Sequence, residues 1–140
     1  MKKAIPIVIL LLFFACKSTS NMLDAKIEAF GEQPELLRQP YLQMVREDSV
    51  IITWKTNEIS SNCFVEFFKK GKKKSSLVKG YLTLHEGNMF NEVSISGLKP
   101  ETTYNYSIYS NGHLLATGED YHFITAPDNK NTAFTFYALG

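Results

Sequence analysis

From Arg38 onward, apolar residues recur at every second position, in short runs that turn residues interrupt about every ten residues. A period of two is that of a pleated strand with one buried face, and it cannot form the apolar stripe of a helix, which repeats every 3.6 residues. Short strands at this spacing are the pattern of a β-sandwich. Tyr41, Gln43 and Val45 alternate with Leu42 and Met44 before a turn at Glu47-Asp48. Val50, Ile52 and Trp54 then share one face and Ile51, Thr53 and Lys55 the other, which makes Trp54 the expected anchor of the core. A third strand spans 62–69, and others follow near 76–84, 89–96, 102–110 and 113–125. Asn111-Gly112 is a two-residue hairpin signal, because both residues tolerate positive φ. The expectation is an all-β fold, a seven-stranded antiparallel sandwich over 38–127.

Composition agrees with a packed domain. With 44% hydrophobic, 13% aromatic and 21% charged residues, the chain can bury a core and carries too little charge for general disorder. Its 15 Lys and Arg against 14 Asp and Glu leave no basic excess, so nucleic acid is not an expected partner. The run Lys69-Lys70-Gly71-Lys72-Lys73-Lys74 reads as a solvated hairpin tip rather than a phosphate or lipid patch.

The N-terminus has a different character. Lys2 and Lys3 precede an apolar run, Ala4 to Ala15, of 12 residues, against the ~20 a membrane-spanning helix needs. Residues 1–15 therefore read as an export signal. Ala15-Cys16 at its end resembles the bacterial lipobox, which implies cleavage before Cys16 and lipidation of its thiol; an ordinary signal peptide with an incidental Cys16 is the other reading. The first reading gives a lipoprotein held on a bacterial membrane, on the periplasmic or cell-surface face, with the membrane as partner through the lipid. Residues 16–37 then form a tether. Cys63 is left without a disulfide partner and sits in the apolar run Cys63-Phe64-Val65, where a free cysteine acts as a small hydrophobe.

No residue pattern carries catalysis. His85, His113 and His122 stand apart, none in a local metal-ligand spacing, and there is no Gly-rich phosphate cradle, Ser-His-Asp set or Cys-His pair. No catalytic, cofactor-binding or metal-binding residue is expected, and the residues singled out are Cys16 for lipidation and Trp54 and Tyr104 for structure.

Gly97-Leu98-Lys99-Pro100-Glu101-Thr102-Thr103-Tyr104 resembles the tyrosine corner of fibronectin type III domains. That resemblance implies that the Tyr104 ring enters the core while its hydroxyl bonds backbone upstream. Arg38-Gln39-Pro40-Tyr41-Leu42-Gln43, the strand Asp48 to Thr56, Ser96-Gly97-Leu98-Lys99-Pro100 and Phe123-Ile124-Thr125-Ala126-Pro127 are together similar to the N-terminal domain of purple acid phosphatases. The resemblance implies an accessory fibronectin-like domain ahead of a two-metal phosphoesterase domain. Phe134 to Gly140 resembles the first strand of that catalytic domain, expected here over 133–140 and cut before the first metal ligand. The dinuclear metal the family implies, iron with zinc, manganese or iron, would then be held by a downstream catalytic domain as partner and not by this chain. The competing reading is a stand-alone surface lipoprotein whose sandwich binds a glycan or a protein.

Overall fold

The structure is a computed structural model and describes residues 27–128. The expected export signal, the lipidation site Cys16 and the strand over 133–140 lie outside the described residues. Within them the strands are β1 (Leu36–Gln43), β2 (Ser49–Thr56), β3 (Cys63–Lys69), β4 (Ser76–Lys79), β5 (Tyr81–His85), β6 (Asn88–Ser96), β7 (Thr103–Ser110), β8 (His113–Ala116) and β9 (His122–Ile124). One sheet has the order β1-β2-β6-β5; the other runs β4-β3-β7-β8, with β9 also on β7. Every pairing is antiparallel. The fold is an all-β antiparallel sandwich of two sheets.

The described strands number nine rather than the expected seven, because two of the expected strands are each divided around a glycine. The run 76–84 splits at Gly80, where the chain leaves the β3 side and joins β6. A Cβ at Gly80 would collide with the Glu92 carbonyl oxygen and lie 2.5 Å from Val93 Cγ2, so only glycine lets the backbone pass there. Its N–H donates to the Cys63 carbonyl at 2.9 Å, which keeps the crossing hydrogen-bonded. The run 113–125 splits over Thr117–Tyr121, with Gly118 at φ 124°, and the chain returns to β7 through the Tyr106 N–H to Tyr121 carbonyl bond of 2.9 Å.

Two hairpins close on left-handed turn residues. Asn111 and Gly112 have φ of 49° and 78°, and Glu86 and Gly87 have 48° and 77°, both patterns matching the right-handed twist of the strands they join. Ahead of β1, the Phe30 N–H donates to the Asn111 carbonyl at 3.0 Å, so this segment lies against the β7–β8 turn.

The core is built from the alternate residues of both sheets. Val50, Ile52, Trp54, Val93 and Ile95 on one sheet meet Val65, Tyr104, Tyr106, Ile108 and Phe123 on the other, all buried. The Trp54 indole N–H donates to Ser110 Oγ at 2.9 Å across the sandwich. The Tyr104 ring stacks on Phe123 with centroids 5.5 Å apart, and its hydroxyl accepts the Lys99 N–H at 3.0 Å. Beside it the Thr125 hydroxyl accepts the Thr102 N–H at 3.0 Å and donates to the Lys99 carbonyl at 2.6 Å, so the β6–β7 connection is pinned by two side chains.

Tyr104→Phe keeps the ring and leaves the Lys99 N–H without its acceptor. It is expected to destabilise the domain by about 1–3 kcal/mol in denaturant unfolding; an unchanged midpoint would argue against the corner as a stabilising bond. Cys63 is 2% exposed and burial pushes its thiol up to about 11 from an ordinary 9.0. The raised value stabilises the fold fully below about pH 9 and is lost as pH rises towards about 11. Iodoacetamide labelling followed by mass spectrometry should therefore be slow in the native protein and accelerate with unfolding.

Candidate functional site

The residues singled out by the sequence do not converge. Trp54 and Tyr104 lie inside the core, and Cys63 is buried at the start of β3 with its Sγ 3.8 Å from the Tyr81 carbonyl. His85 is exposed at the end of β5. His113 Nε2 is 3.3 and 3.2 Å from the carbonyls of Phe30 and Gly31, where only a protonated nitrogen can donate. His122 Nδ1 donates to the Glu119 carbonyl at 2.8 Å. The lysine run from Lys69 to Lys74 is exposed at the β3–β4 tip, turned by Gly71 at φ 78°.

Among the described residues no group of three or more His, Cys, Asp or Glu side chains is placed to hold a metal ion. A dinuclear hydrolytic centre needs several converging nitrogen and carboxylate ligands with coordination left open for water and phosphate. The donors among the described residues do not fit such a centre.

Among the described residues, a groove of about 760 Å³ lies on the β3-β7 sheet, lined by residues that include Phe68, Lys70, Tyr106, Glu119, Asp120 and His122. It exists because residues 117–121 leave the sheet between β8 and β9. Phe68 and Tyr106 give it an apolar component, with both charge signs at the rim. Tyr106 is pushed up to about 12, chiefly by burial, so its phenol stays protonated at neutral pH. The Ser107 hydroxyl is paired with the Thr117 hydroxyl at 2.8 Å rather than with His122. Sequence reading missed the groove because Glu119 and Asp120 fall within what the alternation describes as one strand; Gly118 was the available signal.

Solved structures of similar fold include the fn3 domain of human contactin 1, at TM-score 0.49 and 14% identity, over 84% of this chain and 96% of that one. The fn3 domain of the human collagen alpha-1(XX) chain has TM-score 0.47 and 15% identity, over 79% and 95%. The sensor domain of the anti-sigma factor RsgI4 of Pseudobacteroides cellulosolvens has TM-score 0.47 and 14% identity, over 70% and 99%. At such identities the likeness concerns the fold. No curated protein matches the sequence. The family described as "Purple acid Phosphatase, N-terminal domain" matches residues 37–125, from the second residue of β1 to just past β9. The chain therefore belongs to the purple acid phosphatase N-terminal domain family.

Proposed function

We propose that this domain is the non-catalytic N-terminal module of an exported, acid phosphatase-like metallophosphoesterase. The observation that supports the reading is the family match over 37–125, which covers the sandwich from the second residue of β1 to just past β9. The family's chemistry is phosphoric ester hydrolysis at a two-metal site, in which paired cations, iron with zinc, manganese or iron, activate water and neutralise the phosphate. The sandwich contributes a rigid support, and its groove offers a surface against which a catalytic domain can be positioned. In the same reading, Cys16 carries the lipid that holds the enzyme on the periplasmic or outer face of a bacterial membrane. Two or more acyl chains make such anchoring stable where one is reversible.

The test compares the 140-residue chain with the full-length gene product, using a chromogenic phosphomonoester and metal analysis. The longer protein is expected to bind two transition metals and turn over, and the 140-residue chain to do neither. Metal-dependent turnover by the 140-residue chain, surviving rigorous removal of contaminating phosphatases, would overturn the proposal. For the anchor, cells fed a clickable fatty acid should label the wild-type protein, and Cys16→Ser should abolish that label and block maturation. Undiminished labelling of Cys16→Ser would remove the lipoprotein reading.

A further inference from the structure

The two ends of the sandwich differ in what reaches them. β7 runs from Thr103 to Ser110, and at about 3.4 Å per residue its ends lie roughly 24 Å apart. At the Ser110 end the chain enters: the Phe30 N–H donates to the carbonyl of Asn111, the residue after β7, and β1 begins with Leu36 opposite Thr56. At the Thr103 end it leaves, because the Glu101 N–H donates to the Ala126 carbonyl at 3.3 Å and the Ala126 N–H to the Arg46 carbonyl at 3.1 Å. Whatever follows Asp128 therefore starts beside the turn that joins β1 to β2.

That turn carries an apolar tip. Leu42 packs against the core, and strict alternation would send Met44 inward after it. Instead Met44 takes a φ of 48° and its side chain is 58% exposed, with Val45 beside it at 38%. A left-handed backbone suits glycine or asparagine, so methionine here gives up backbone ease and presents a long, adaptable apolar side chain to solvent. The exposed Arg46, Glu47 and Asp48 follow, which gives the apolar pair a polar margin like that of a protein interface. A bilayer does not suit the tip, since a lipid on Cys16 would hold the membrane at the end where the chain enters. Two side chains are too small an area for a stable dimer, but they suit a contact that the covalent connection through Asp128 already makes local. The middle of the groove, where Asn105 pairs with His122, lies farther from that connection, four residues back from Ala126 or about 14 Å of extended chain.

We propose that Met44 and Val45 seat the catalytic domain that follows Asp128, so that the sandwich is a spacer with the tether and the catalytic domain at opposite ends. This rests on the phosphatase-module reading and selects the contact surface within it. The test is oxidation of methionine by dilute hydrogen peroxide, read by peptide mass spectrometry, in the 140-residue chain and in the full-length gene product. Met44 is expected to oxidise about fivefold or more slowly in the longer protein, because a covered thioether is less accessible to oxidant. The half-buried Met89 of β6, at the opposite end of the sandwich, is the unchanged reference. Val45→Asp should leave the thermal midpoint of the 140-residue chain in place and lower that of the full-length protein by about 3 °C or more. Equal oxidation of Met44 in the two proteins, or equal midpoint shifts, while the longer one turns over a chromogenic phosphomonoester with its metals, would overturn this inference and leave that reading standing. A longer protein without metal-dependent turnover would overturn both. Protection of Met44 that grows with the concentration of the 140-residue chain would give the tip to a second copy and overturn the inference as well.

Discussion

An indole N–H at the centre of a sandwich has no water to bond, and here it reaches across to Ser110, with both residues at 0% exposure. The bond joins β2 of one sheet to the last residue of β7 in the other, so it fixes how the two layers sit. Slipping β7 by one residue would bring Tyr109 or Asn111 to that position and turn the inward set Tyr104, Tyr106 and Ile108 to solvent. Losing either partner leaves a buried polar group unsatisfied, which costs about 1–3 kcal/mol, a sizeable share of the 5–15 kcal/mol that holds a typical domain. The aromatic cluster and the tyrosine corner both depend on the placement of β7 that this contact enforces.

The polar side chains of the core are used to hold layers and turns together: Ser110 for Trp54, Thr125 for the β6–β7 connection, Asn111 for the Ser61 N–H at 2.9 Å. Among the described residues, no group of three or more His, Cys, Asp or Glu side chains gathers where it could hold a metal ion. A domain of the purple acid phosphatase N-terminal family that uses its polar side chains in this way contributes rigidity and surface to whatever it adjoins.

The alternation over β2, β3 and β7 was legible because it is local: a residue's face follows from counting by two, and Val50, Ile52 and Trp54 are each at most 1% exposed. The turn at Asn111-Gly112 was legible for the same reason, since its positive φ values are a property of two adjacent residues. The division of two strands was not, because a glycine inside an alternating run marks equally a weak strand, a bulge or a crossing. Only the nearness of the Glu92 carbonyl, 12 residues along the chain from Gly80, shows which it is. The groove depends on residues from three separate stretches, which counting by two along one strand does not bring together. What the sequence concealed is contact between distant segments.

The crossing at Gly80 also bears on solubility. A sandwich has four outer strands, each a template on which another chain could extend the sheet. Here the outer strands β4 and β5 belong to different sheets yet are one continuous stretch of chain, so a single residue seams that flank of the sandwich. On this flank β4 is only four residues long and ends in the exposed Lys79, which further discourages pairing with a neighbour. Among the described residues β1 and β8 are the other outer strands, and a glycine that costs local stability limits unwanted association on the flank it closes.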